Sequence, residues 1–257
     1  VALEHQQDGD ESIGSHDLQL LRGTGQKVAS SSPHDGHMNS TETTTAAQDP
    51  SAPLDPNDPR HVYARATKLT AQTMRAITAE QYSLPTCTAM SVAQLCEHLV
   101  MVQRRVACAG RGQAVAQWPI AATDVASGEW ADAFIDASHD VQSAWSADVL
   151  DRATQLPWGE FSGREVLAVY ANELSVHTWD LARATGQQPE WDGDVLEVSL
   201  AAIHAQLPDA DRRPMWDALA AQMPEGVPWE SPFGNAVAVS DDAPTIDRLV
   251  AWNGRQP

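Results

Sequence analysis

Basic residues are scarce in this chain: 16 Lys and Arg stand against 35 Asp and Glu, for a formal net charge of −19. A surface of that sign repels phosphate, which argues against a nucleic-acid partner and against docking on anionic lipid. Cysteine is also sparse. Cys87, Cys96 and Cys108 are odd in number and too few for a disulfide framework. No run approaches the roughly 20 consecutive apolar residues of a membrane span. The first residues lack the basic and apolar stretches of a secretion signal. The expectation is a cytoplasmic protein without membrane or nucleic-acid partners.

Aromatic residues are missing from residues 1–57, whereas all nine tryptophans lie between Trp118 and Trp252. This Ser-, Thr-, Gly-, Asp- and Pro-rich leader cannot bury enough apolar surface to offset its ordering entropy, and reads as disordered. It carries His5, His16, His34 and His37, which no fixed geometry holds for metal binding. Met38 within it reads as a candidate translation start.

What remains is patterned as helix. Asp58 followed by Pro59 is an N-cap with proline at the first helical position, opening a helix that should run to about Ala79. A loop through Leu84-Pro85-Thr86-Cys87 leads to Ser91 and Gln94, spaced as a capping box, and a second helix ending near Gly110. A third is expected over Ser127–Leu150. Ser162 and Glu165 box the fourth, which Gly186 closes. Further helices fall near Val195–Gln206, Arg213–Gln222 and Pro244–Trp252. The alternation Ala236-Val237-Ala238-Val239 suggests a short strand. Three regions follow: a leader (1–57), a helical bundle (58–190) and a small C-terminal α/β region (191–257).

On a helical wheel of Val166–Ala184, the residues Val166, Val169, Tyr170, Leu174, Leu181 and Ala184 share one apolar stripe. Glu173 and His177 fall in the middle of it, one turn apart, with Asp180 beside them. A carboxylate on an inward face costs several kcal/mol unless something pairs with it. The second helix carries its own stripe, Val92, Leu95, Cys96, Leu99, Val102 and Val106, with His98 at the edge. If these helices face one another, His98, Glu173 and His177 can converge on a divalent cation, zinc being the natural choice for two imidazoles and a carboxylate. The competing reading is a structural hydrogen-bond network without metal.

Other residues read as bland. Cys96 sits on the stripe as a core thiol, turned away from His98. Cys87, near a helix N-terminus where a thiol pKa can fall, reads as a loop-lining residue. Glu97 reads as solvated. Trp158 and Trp179 are candidates for lining a pocket near the site, or for core anchors. His139 and His204 have no evident partner.

The run Glu173-Leu-Ser-Val-His177-Thr-Trp-Asp-Leu-Ala-Arg-Ala-Thr-Gly186 resembles the signature of the DinB-like, mycothiol-dependent maleylpyruvate isomerase superfamily, in its small actinobacterial metal-binding branch. The segment from Pro85 through Val100, the run Leu156-Pro-Trp-Gly159 and the ending Asp247–Pro257 are similar to that family in the same order, so the resemblance spans roughly residues 58–257. It implies a DinB-type four-helix bundle with metal on His98, Glu173 and His177. Met90 departs from the Trp common at that position, which touches local packing and leaves the ligands alone.

The resemblance further implies thiol chemistry: a metal-activated low-molecular-weight thiol, mycothiol or a relative, attacks a small electrophile in a transferase or isomerase reaction. Asp180 would then orient His177 or steady the site, and Arg255 would meet an anionic substrate or else lie at the surface as an ordinary C-terminal arginine. The alternatives are hydrolysis by metal-bound hydroxide and a non-catalytic metal-binding or regulatory protein.

Overall fold

A computed structural model describes residue 55 and residues 58–119, 121–156, 158–221 and 233–257. The leader, Asp55 apart, lies outside the described residues at 1–54, 56 and 57, as does the Pro-rich stretch at 222–232. Within them the chain is mainly helical. Seven helices form: α1 (Pro59–Arg75), α2 (Val92–Gly110), α3 (Trp130–Ala144), α4 (Gly163–Thr185), α5 (Gly193–Gln206), α6 (Arg213–Ala220) and α7 (Thr245–Trp252). Two short strands, β1 (Ala153–Leu156) and β2 (Gly159–Ser162), pair antiparallel from Ala153↔Ser162 to Leu156↔Gly159.

Side-chain caps set several of these boundaries. The Asp58 carboxylate accepts the Arg60 backbone N–H at 2.9 Å to start α1. Ser91 and Gln94 form the reciprocal box at the head of α2, with Ser91 N–H donating to Gln94 Oε1 at 2.8 Å. Ser162 and Glu165 do the same for α4, and Gly186 stops it at φ 73°, a left-handed conformation that glycine adopts without a Cβ penalty.

Two helices end early. α1 stops at Arg75, because Thr78 begins a separate turn in which its N–H donates to Gln81 Oε1 at 3.0 Å. α3 stops at Ala144, because Trp145 turns inward and its indole N–H donates to Val106 O at 3.0 Å.

The expected strand at Ala236–Val239 is absent, so the C-terminal region is not α/β as described. Among the described residues no second strand lies beside it: the Val237 N–H donates instead to Ala251 O at the end of α7, at 2.9 Å, and Val239 is exposed. The only sheet among the described residues is the β1–β2 hairpin, whose Phe161–Ser162 end leads directly into α4.

Each of the first four helices packs against two of the other three. α1 lies on α4 and α3, and α2 on α3 and α4. Their shared core contains Val62, Met74, Leu95, Leu99, Phe134, Leu167 and Leu174. On its other side α4 receives α5 and α7, building a second core from Val176, Trp179, Leu200, Ile203, Trp216 and Leu249. Every residue of α4 from Tyr170 to Ala182 is therefore buried. A stripe on a wheel describes a helix with one wet face, whereas α4 has none over these turns. Polar residues on it consequently need partners on every side.

Candidate metal centre

α2 and α4 lie in contact, and their meeting brings His98 to Glu173. His98 Nε2 stands 3.0 Å from Glu173 Oε1, and His177 Nε2 stands 3.1 Å from the same oxygen. The imidazole rings meet edge to face, with centroids 4.9 Å apart. One ligand atom from each of the three residues lies within 4.8 Å of the other two. Glu173 and His177 are 5% and 6% exposed, while His98 is half-buried at the edge of the cluster.

Burial pushes the Glu173 carboxyl upward, yet His177 and His98 outweigh it and hold the group well below the usual carboxylate range. Burial works the opposite way on His177, and Glu173 and Asp180 prevail to raise its pKa. Glu173 is thus an anion that can only accept. Two arrangements fit both imidazole nitrogens against one of its oxygens: N–H groups donate from each ring, or lone pairs and the carboxylate share a cation. Two imidazoles and a carboxylate from facing helices are a donor set suited to zinc and to its borderline neighbours.

Behind His177 stands Asp180, fully buried, its Oδ2 2.9 Å from His177 Nδ1. Burial lifts the Asp180 carboxyl, but His177 and Arg255 bring it down to about 2. An ionised carboxylate accepts only, so the Nδ1 of His177 carries a proton and donates. This is the outer-shell arrangement that turns the Nε2 of a ligand histidine toward its metal.

Arg255 also reaches Asp180, with Nη2 at 3.0 Å from Oδ2. The guanidinium is 9% exposed, donates from Nη1 to Asn253 O at 2.8 Å and lies 5.8 Å from the Phe233 ring. Arg255, a candidate for substrate binding by sequence, is therefore placed with its charge paired to Asp180.

Sequence reasoning missed the link from Cys87 to this network. The loop before α2 is tightened by threonines: Thr86 N–H and Oγ1 both donate to Met90 O, and Thr88 N–H donates to Thr86 Oγ1. This turn holds the Cys87 thiol 2.8 Å from Asp180 Oδ1, to which it donates. Burial of the sulfur and the Asp180 carboxylate push the thiol up to about 12, overriding any lowering from the α2 N-terminus. A contact across 93 residues leaves no spacing signal.

The remaining candidates settle elsewhere. Cys96 is fully buried in the first core. Glu97 is half-buried. Trp158 packs on Tyr170 and Phe161 at centroid distances of 6.3 and 6.4 Å. Trp179 belongs to the second core, with Arg183 over its ring at 5.2 Å, rather than to the face of α4 that meets His98. His204 does have a partner: it lies on Trp252 at 3.9 Å between centroids. His139 is exposed. Among the described residues, no helix is long and apolar enough to cross a membrane.

No family model matches the chain, and no solved structure matches it. It is similar to uncharacterized proteins of Mycobacterium tuberculosis from strains CDC 1551 / Oshkosh and H37Rv. Each is 25% identical over 205 residues, covering 77% of this chain and 98% of the relative. The likeness runs across nearly the whole of each relative, and neither relative carries a named activity.

Proposed function

We propose that His98, Glu173 and His177 hold a divalent metal ion, zinc by preference, in a bundle of the DinB type. We further propose that the chain uses it as a thiol-dependent transferase or isomerase. The observation that carries this reading is the convergence of the two Nε2 atoms on one Glu173 oxygen, at 3.0 and 3.1 Å, with Asp180 seated on the far nitrogen of His177. The competing arrangement, in which both rings donate N–H groups to Glu173 as a structural network, takes up no metal, and zinc loading separates the two.

His98, Glu173 and His177 would hold the zinc ion, which would supply Lewis acidity and lower the pKa of a low-molecular-weight thiol brought to it. The chain's own cysteines do not provide that thiol. Cys96 is sealed in the core, Cys108 lies ten residues beyond His98 on α2, about 15 Å along the helix, and Cys87 is held protonated against Asp180. The sulfur therefore comes from a low-molecular-weight thiol of the mycothiol type, and the partner is a small electrophile. The thiol loses its proton to solvent, the sulfur lone pair bonds to carbon, the carbon–carbon π pair shifts to the bond beside the carbonyl and the carbonyl π pair moves onto oxygen; in a transferase that enolate then takes a proton at carbon. In an isomerase the single bond then rotates and the same sulfur leaves, with no net redox change.

Elemental analysis of the purified protein, followed by incubation with mycothiol and a generic electrophile, tests the proposal. About one equivalent of metal per chain and adduct formation that a chelator abolishes are expected. Metal retained without thiol turnover would leave a metal-binding protein and remove the transferase. Absence of metal after zinc loading would remove both.

A further inference from the structure

Asp180 collects an unusual set of donors for one buried side chain. Its Oδ2 accepts from His177 Nδ1 at 2.9 Å and from Arg255 Nη2 at 3.0 Å. Its Oδ1 accepts from the Cys87 thiol at 2.8 Å and from Arg255 Nε at 3.4 Å. Two contacts at each oxygen account for the lone pairs of an ionised carboxylate. Turning Asp180 away from His177 would break Arg255 and Cys87 contacts together, inside a site where Asp180 has no exposure to water.

Arg255 is itself held in place by the segment that follows α7. Asn253 and Asn172 of α4 exchange amide hydrogen bonds at 2.9 and 3.3 Å, both side chains buried. Gly254 takes φ 81° with its α-carbon packed on the Gly234 backbone, where an added Cβ would meet Gly234 N at 2.9 Å. That turn sends Arg255 back onto α4, and its Nη1 closes on Asn253 O. The segment is thus fastened to α4 at Asn172 and again at Asp180, about two turns further along the helix.

We propose that Arg255 is a positioning residue: by clamping Asp180 it fixes the Nδ1–H form of His177 and so presents Nε2 to the point shared with Glu173 and His98. The segment after α7 thereby sets the metal affinity of a site it does not touch. This assigns Arg255 to the protein's own carboxylate in place of a substrate anion. The proposal rests on the metal reading for its consequence, and on the hydrogen-bond geometry alone for its cause.

Two measurements on the full chain test it. Zinc affinity is read by competition with a chromophoric chelator for the unaltered protein, Arg255→Ala, Arg255→Lys and Asp180→Asn. The His177 ring protons are read in the metal-free proteins by nitrogen-15 histidine labelling and magnetic resonance. Arg255→Ala and Asp180→Asn should weaken zinc by roughly 10- to 100-fold, the range for outer-shell groups. Arg255→Lys, which keeps charge without the two-pronged fork, should lose less. The Nδ1 proton of His177, slow to exchange in the unaltered protein, should exchange rapidly in Arg255→Ala. A folded Arg255→Ala that binds zinc normally and keeps its slow Nδ1 proton overturns the proposal. If Arg255→Ala fails to fold, Arg255→Lys decides by the same two readouts. If the unaltered protein takes up no zinc, the metal reading falls while the ring-proton comparison still decides the clamp.

Discussion

His98 of α2 and Glu173 of α4, 75 residues apart in the chain, stand 3.0 Å from one another. Neither helix demands the other's polar residue for packing, since Leu95, Leu99 and Leu174 already fill the core around them. The pair is intelligible when His177 and the Asp180 behind it are taken together as one donor set.

Removing a ligand should therefore matter more than removing its support. His98→Ala and His177→Ala are each expected to weaken zinc by more than about 100-fold, beyond the outer-shell range. Glu173→Ala should weaken it as well. Metal content by elemental analysis after zinc loading checks this. A double variant of the two histidines that retains full occupancy would exclude the triad.

Asp180 predicts a specific acid sensitivity. Its carboxyl lies at about 2 in the fold against an ordinary 3.8. The stabilisation is fully present above 3.8 and is lost as pH falls toward 2. The gap corresponds to about 2 kcal/mol for a buried group. In Asp180→Asn that part of the acid slope should vanish. Urea unfolding of the metal-free proteins at pH 5, 4 and 3 measures the difference, and parallel slopes would refute the assignment.

Cys87 is exposed as a residue while its thiol is pinned to Asp180 and pushed up to about 12. It should alkylate slowly with iodoacetamide at pH 8, against the usual behaviour of a loop cysteine. Asp180→Asn removes the carboxylate's charge and should speed the reaction more than about 10-fold. Mass spectrometry of the Cys87 peptide over time gives both rates. A rate in the unaltered protein equal to that of an unfolded peptide would contradict the contact.

Gly254 has no room for a side chain and sits at φ 81°. Gly254→Ala is expected to lower stability by more than ~1 kcal/mol, from backbone strain and the collision with Gly234. Because the same turn aims Arg255, zinc affinity should fall with it. Thermal unfolding and the chelator competition report the two effects separately. A variant with unaltered melting and affinity would show that the turn is not constrained.

The parts of this protein legible in its sequence are those made by neighbours in the chain. Ser91 with Gln94, Ser162 with Glu165, Asp58 before Pro59 and Gly186 at a helix end each act across a few residues. Local backbone hydrogen bonds are their own signal, so those boundaries could be read directly. Glu173 and His177, four residues apart on one helix, were legible for the same reason, and their apolar neighbours marked the face as inward. The β1–β2 hairpin was not legible, and Ala236–Val239 misled because alternation alone does not supply a pairing strand.

What tertiary structure alone decided is which distant groups meet. The sequence on its own determined a mainly helical chain and a short list of buried ionisable residues that require partners. Docking of α1, α2, α5 and α7 around α4 decided that His98 joins Glu173, and that α4 is buried on all sides from Tyr170 to Ala182. It also decided that Arg255 and Cys87 both end on Asp180. The physical reason is range. A cap is satisfied within one turn of its own chain, whereas a buried charge is satisfied by whatever the packing of separate elements brings within hydrogen-bonding distance.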